Sequence, residues 1–153
     1  MTLTIKETTR ADIPGLKAVL DTIDLFPAEM LEDMLEPTLD GKSDALWHTA
    51  HLGGRVIGLA YTRAEIFTDR TWNLLALGVH ADAQSSGAGK TLVRAVEDTL
   101  RTRAQRLLII ETSSGPDLEP ARAFYRANGY NEHARIKDFW AEGDDKIIYH
   151  KAL

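Results

Sequence analysis

The chain has no cysteine among its 153 residues. Disulfides, thiolate nucleophiles and cysteine-ligated metals are therefore excluded, and the composition suits a reducing compartment. An excess of positive charge is lacking too. Eighteen Lys and Arg against 23 Asp and Glu leave a net charge of −5, a poor electrostatic partner for nucleic acid or anionic lipid. No apolar run approaches the ~20 residues needed to cross a bilayer. The opening MTLTIKETTR lacks the basic-then-apolar order of a signal peptide. These absences predict a cytoplasmic protein with neither a nucleic-acid nor a membrane partner. There is also no internal repeat, low-complexity tract or linker.

What is present suffices for one domain spanning 1–153. The hydrophobic fraction is 44%, and a chain of this size buries roughly 68–70% of the surface its unfolded form exposes. Leu3 to Glu7 alternates as a strand does. Thr9 to Asp12 reads as a capping box before a helix with Ile13, Leu16, Leu20 and Ile23 on one face. A second helix is expected from Pro27 to just before Pro37. Ala45–Leu52 and Arg55–Phe67 form a hairpin about Gly53-Gly54, followed by a third strand, Thr71–Val79. The WNLLAL run of that strand is apolar on both faces, so a fully covered central strand is expected. Gly89–Thr102 is an amphipathic helix, Leu107–Thr112 a buried strand, and Pro120–Asn128 a helix closed by Gly129. Tyr130–Asp138 and Lys146–Leu153 are the last strands, about an Ala141–Asp145 loop. The order β-α-α-β-β-β-α-β-α-β-β predicts an α/β (α+β) mixed sheet with helices on its faces.

The sharpest signal is LLALGVHADAQSSGAGKTLV, residues 74–93. A buried strand ends, a short loop holds Gln84, Gly87 and Gly89, and a helix begins at once. Glycine lets backbone approach a ligand and take positive φ. The first N–H groups of a helix have no partner inside it and sit at its positive end. Such a segment suits a phosphate or pyrophosphate; a chain-reversing turn is the bland reading. A dinucleotide fingerprint fails because Leu92 stands where the third glycine belongs. A Walker A loop matches Gly89-Lys90-Thr91 but has Gln84 where the first glycine belongs, and His80 to Ala83 separate it from its strand. A Mg-ATP phosphotransferase is therefore a remote alternative.

Gln84-x-x-Gly87-x-Gly89 after a strand and opening a helix resembles motif A of the GNAT N-acetyltransferase superfamily. Ala-Arg-Ala-Phe-Tyr-Arg-Ala-Asn-Gly-Tyr, residues 121–130, resembles that family's next helix, and the chain from about Ala45 onward fits its element order. The resemblance implies the acyl-CoA N-acyltransferase fold, with a central strand splayed from its neighbour, and acetyl-CoA as donor without a metal. It implies that Leu77, Gly78 and Val79 meet the acetyl and pantetheine groups through backbone atoms. It places Gln84 and the N–H groups of Ser86, Gly87, Ala88, Gly89 and Lys90 around the pyrophosphate, with Thr91 nearby. Tyr125 becomes the acid that protonates the leaving thiolate; as a residue on an amphipathic helix it is otherwise core. Two departures stand out. Ala81 replaces a common proline, and Leu118 replaces an asparagine that contacts the cofactor arm, so that this contact is either missing or supplied by Ser113 or Ser114.

The implied reaction is direct attack by a primary amine of a small molecule or peptide on the thioester. An amine of pKa ~10.4 is neutral in about one molecule per 2,500 at pH 7, so a base must act. An oxyanion needs a backbone N–H, which the strand end at Gly78-Val79 offers. No acid lies on Thr71–Val79. Glu111, at the end of the next strand, is the candidate base, with capping of Ser113 or pairing to an arginine as the alternative. His48 and His51 fall on opposite faces of their strand and form no joint site; His80 reads as solvent-facing. The acids Asp21, Asp24, Glu29, Glu32, Asp33, Glu36 and Asp40 make either a solvated face or a lure for a cationic acceptor such as a polyamine, an aminoglycoside or a lysine side chain. Phe26, Trp72 and Trp140 are pocket or core aromatics. A non-catalytic acyl-CoA sensor is the second alternative, and the family also admits a homodimer.

Overall fold

Strands and helices follow one another in the expected order in a computed structural model that describes residues 1–153. They are β1 (Leu3–Glu7), α1 (Ile13–Leu20), α2 (Leu31–Leu39), β2 (Leu46–Leu52), β3 (Arg55–Ala64), β4 (Thr71–Val79), α3 (Ala88–Thr102), β5 (Leu107–Ser113), α4 (Glu119–Ala127), β6 (Asn131–Ala141) and β7 (Asp144–Ala152). They make one seven-stranded sheet in the order β1-β2-β3-β4-β5-β7-β6. Every pairing is antiparallel except β4 with β5.

Each face of the sheet carries its own core. On one, Leu92, Val93, Val96 and Leu100 of α3 pack on Leu108, Ile110 and Ile147. On the other, Leu16, Val19 and Leu20 of α1 and Leu31 and Leu35 of α2 pack on Leu59 and on Trp47, which stacks on Tyr61 at 4.2 Å. The apolar stripes read at helical spacing thus become the two buried layers. His48 and His51 do lie on opposite faces. His48 bonds Thr99 of α3 at 3.2 Å, and His51 bonds Asp12 at 3.0 Å. Burial pushes the His48 imidazole below its usual pKa, favouring the neutral ring.

The capping box forms, with the Thr9 amide donating to Asp12 Oδ2 at 2.9 Å, but it caps a 3₁₀ turn at Arg10–Asp12 that leads into α1. Four boundaries differ from expectation. Helix α1 stops at Leu20, so Ile23 lies in the following loop. Helix α2 starts only at Leu31, after a 3₁₀ turn, and runs through Pro37 to Leu39. A proline in the final turn loses one ladder bond and crowds the carbonyl one turn back, a cost confined to the helix end, and here the Pro37 carbonyl accepts from the Lys42 and Ser43 amides. Strand β3 ends at Ala64 rather than Phe67. Phe67 and Arg70 take φ near 60° in a turn that the Thr68 hydroxyl stabilises by donating to the Glu65 carbonyl. The last hairpin is tighter than expected, turning at Glu142-Gly143 with Gly143 at φ 81°.

The feature that positions the site is a split in the sheet. β4 pairs with β5 only through Thr71, Trp72 and Asn73. Just beyond, Tyr61 faces Ala76 while Thr62 faces Leu74, so Leu75 is an extra residue in β4. Such a bulge bends a strand and raises its twist. It turns β4 away from β5 and leaves Leu75 48% exposed. The expectation of a covered central strand holds for Trp72 and Leu74 in one core and Ala76 in the other, and fails at Leu75, which the bulge turns into the opening.

Candidate active site

The glycine loop lies at the mouth of this split. A 3₁₀ turn at Ala81–Ala83 carries the chain from β4 toward α3. Gly87 caps α3 at φ 85°, ψ 6°, a left-handed conformation that glycine adopts without cost. The Thr91 amide and hydroxyl both bond the Gly87 carbonyl, at 3.1 and 3.0 Å. The Ser86 hydroxyl accepts from the Ala88 amide at 3.3 Å. The amides of Gly87, Gly89 and Lys90 are left without a partner in the protein and point out of the positive end of a 15-residue helix.

A cleft of about 580 Å³ opens between this helix start, the end of β4 and α4. Leu77, Gly78 and Val79 line it along β4, and Gln84, Gly87, Gly89 and Lys90 along the loop. Gln84 Nε2 donates to the Val79 carbonyl at 3.2 Å, tying loop to strand. Three residues expected around the pyrophosphate lie outside the lining. Ser86 acts as a local cap, Ala88 is buried in the core at 1% exposure, and the Thr91 hydroxyl is occupied by its own helix. The opposite wall, missed in the sequence apart from Tyr125, is α4 with Pro120, Ala121, Phe124 and Asn128.

The split also opens a second cavity, of about 340 Å³, on the β5 side. Leu77, Ala121 and Tyr125 line both cavities, so Tyr125 stands in the partition between them. Its ring packs edge-on against Phe124 at 5.7 Å and tilted against Tyr149 at 5.9 Å. Burial alone pushes its hydroxyl above the usual tyrosine pKa, so the proton stays on.

Glu111 lines the second cavity. It accepts from Asn73 Nδ2 at 2.6 Å and pairs with Lys146, the lysine partner taking the place of the arginine considered from sequence. Asp24 is the other carboxylate on that wall. The remaining acids of the N-terminal pair are elsewhere: Arg10 holds Glu36 and Asp40, Lys17 holds Glu32, and only Asp24 borders the cavity. His80 lines neither cavity; its Nδ1 accepts from the Asp82 amide.

Leu118 also lines the second cavity rather than the cleft. Ser113 and Ser114, the proposed substitutes for an asparagine contact, are committed to the final hairpin. The Ser113 hydroxyl bonds Asp144 and accepts from the Gly115 amide, and Ser114 accepts from the Asp145 amide. The Asp138-Phe139-Trp140 and Gly143-Asp144-Asp145-Lys146 segments interlock. Asp145 accepts from the Asp138 amide and Asp138 from the Gly143 amide, each at 2.9 Å, while Trp140 Nε1 donates to the Thr112 carbonyl at 3.3 Å. The hairpin thereby lays Trp140 against the second cavity.

Gly78 shows why the loop after α1 belongs to the site. A Cβ there would lie 2.5 Å from Ile23 Cδ1 and 3.0 Å from Leu25 Cδ2. A side chain there would have to push the ends of Ile23 and Leu25 aside, so glycine lets this loop close over the end of β4 undisturbed.

A sheet parted between two parallel strands, with an unpartnered glycine-rich helix start facing the gap, defines the acyl-CoA N-acyltransferase fold. The sequence profile of the acetyltransferase (GNAT) family matches residues 16–130, and the chain belongs to that family. A GNAT-family protein from Desulfovibrio desulfuricans, 26% identical, superposes with a TM-score of 0.88 over 99% of both chains. The ribosomal-protein-S18-alanine N-acetyltransferase of Escherichia coli, 20% identical, superposes at 0.79 over 99% of this chain and 94% of its own. A GNAT acetyltransferase of Elizabethkingia anophelis with acetyl-CoA bound, 17% identical, superposes at 0.76 over 99% and 98%. The last two show a common fold. No curated protein matches the sequence. The protein is thus an acyltransferase, and the Walker-type phosphotransferase reading falls with the fold. No helix is long and apolar enough to cross a membrane.

Gly87 supplies a direct check on the loop. A Cβ there meets nothing within 4 Å, so a side chain would cost backbone strain rather than a clash. Gly87→Val should lose about 1–2 kcal/mol of stability, and Gly87→Asn, which tolerates the left-handed region, clearly less. Urea unfolding of the two variants measures the difference.

Proposed function

We propose that the protein moves an acetyl group from acetyl-CoA to a primary amine by direct attack. The observation that carries this reading is Tyr125, standing between a cleft with unpartnered helix-start amides and a separate cavity with carboxylates. The cleft fits the donor. Gly87, Gly89 and Lys90 amides would meet the pyrophosphate, and the parted edge of β4 at Leu77–Val79 would pair with the pantetheine amides. Lys90 and Arg94 border a polar groove that continues the cleft outward, where the nucleotide phosphates would lie. The cavity on the β5 side would admit the amine.

The chemistry then divides among this chain's own groups. The amine must lose a proton as its nitrogen bonds the acetyl carbon, and Glu111 is the carboxylate fixed on the acceptor wall to receive it, directly or through water. A backbone N–H at Gly78 or Val79 steadies the carbonyl oxygen as charge builds on it. The C–S bond breaks, and Tyr125 gives its proton to the sulfur.

Calorimetry against acetyl-CoA, free CoA and Mg-ATP tests the reading. Saturable binding of the first two and none of the third is expected. Binding of Mg-ATP alone would overturn it. Gly89→Ala adds a narrower check. Its Cβ would make only ordinary contact with Phe124, at 3.5 Å, while projecting into the cleft lining. The variant should fold normally and bind acetyl-CoA at least tenfold more weakly.

A further inference from the structure

The second cavity has a composition that selects among amines. Nine of its 13 lining residues are hydrophobic. Leu75 and Trp140 form much of that wall and are 48% and 50% exposed, and Leu118 is 36% exposed. Side chains of this kind rarely stand bare beside a reaction centre without an apolar partner to cover them. Leu75 is exposed because the β4 bulge turns it out, and Trp140 is pinned by its bond to the Thr112 carbonyl.

The charges on the same wall are few. Glu111 is neutralised by Lys146 and held by Asn73. Lys146 is itself drawn over the Phe139 ring, 4.3 Å from its centroid. Asp24, exposed at the rim, is the one lining carboxylate with no cation of the protein beside it. The other acids of the α1–α2 region lie away from the cavity, several of them paired to Arg10 and Lys17. The site therefore offers one free negative charge and an apolar enclosure.

We propose that the acceptor is a small monoamine carried on an apolar body, aromatic or branched aliphatic. Its ammonium is met by Asp24 on entry and its body by Leu75, Leu118 and Trp140. A polyamine or aminoglycoside would bring further cations against a wall that is mostly aliphatic, where Lys146 already takes Glu111 and the Phe139 and Trp140 rings. The proposal rests on the acyl-transfer reading above and narrows it to a substrate class.

The test measures acetyl-CoA-dependent release of thiol with six amines: phenethylamine, isoamylamine, ethylamine, spermidine, kanamycin and a peptide with a free N-terminal alanine. Phenethylamine and isoamylamine should exceed ethylamine and spermidine in kcat/KM by at least tenfold. Ethylamine carries the same ammonium without the body, so that ratio isolates the apolar wall. Leu75→Asp should narrow the phenethylamine-to-spermidine ratio tenfold or more. Leu118→Asp, at another partly exposed position, should do the same if the first variant folds poorly by near-UV circular dichroism. Faster turnover of spermidine, kanamycin or the peptide than of phenethylamine would overturn the proposal and leave acetyl transfer standing. If no amine accelerates thiol release, the proposal also falls. Binding of acetyl-CoA by calorimetry then shows whether the reading beneath it falls too.

Discussion

Tyr125→Phe is expected to lower kcat between tenfold and a thousandfold while the affinity for CoA stays within twofold. The change removes one oxygen from a ring whose packing phenylalanine reproduces, against Phe124 and Tyr149. What is lost is a proton donor in the partition between the two cavities. General acids contribute typically 10²- to 10⁴-fold, and water entering the cleft would recover part of that. A thiolate expelled among Leu77, Ala121 and Phe124 has few groups to stabilise it, so its protonation is coupled to C–S cleavage. The sign of the pKa shift makes a second expectation. Burial raises the Tyr125 pKa above its ordinary value, and a raised value means that the proton is retained to higher pH. The donor therefore keeps its proton through the acidic and neutral range, well below its raised pKa, and any loss of kcat on the acidic side belongs to the base. The wild-type pH profile should keep its acidic limb in Tyr125→Phe at the lower rate. An unchanged kcat would remove Tyr125 from the chemistry.

The donor half of this arrangement was legible in the sequence because it is local. Gly87 and Gly89 fall where α3 starts, and a left-handed cap and free helix-start amides follow from that spacing alone. Tyr125 was reachable only through resemblance, since an amphipathic stripe gives Phe124 and Tyr125 the same apparent reason to be apolar. The acceptor half was not legible. It depends on Leu75 as a bulge, and a bulge arises from the register between β3 and β4, which no run of leucines announces. Of the two adjacent leucines read as burial in WNLLAL, Leu74 is in the core and Leu75 stands in the opening. The acidic residues could not be sorted from sequence either. Asp24 shares its sign with Glu32, Glu36 and Asp40, but long-range pairing with Lys17 and Arg10 removes those three from consideration. The partner of Glu111 was likewise hidden, because Lys146 reaches it across the β5–β7 pairing, 35 residues away in sequence.

Lys151→Met is expected to cost about 3–5 kcal/mol of stability, the largest loss anticipated from any single change outside the apolar core. Glu97 lies on the buried face of α3 with its side chain 5% exposed. Lys151 of β7 donates to both its carboxylate oxygens, at 3.1 and 3.2 Å, and Tyr130 donates to it at 2.7 Å. The same lysine bonds the Asn128 carbonyl at 3.0 Å, where α4 ends. One ammonium therefore ties together α3, which starts at the glycine loop, and α4, which carries Tyr125. Arg101 already pairs with Glu97 at 3.8 Å from a position 44% exposed, so it recovers only part of what the closer, less exposed Lys151 supplies. Removing one partner of a buried pair leaves an uncompensated charge, which is the costly case. Removing both is much cheaper, so Glu97→Gln combined with Lys151→Met should recover more than half of the loss. Urea unfolding of the wild type, the single and the double variants closes that cycle. A single-variant loss below 1 kcal/mol would mean that water reaches Glu97 and that the pair is worth no more than a surface bridge. With the loss as expected, the single variant should also loosen the spacing of α3 and α4, and its acetyl-CoA affinity should fall; Glu97 and Lys151 stand outside the main cleft but line the polar groove that continues it, so that fall combines the lost spacing with the lost cation.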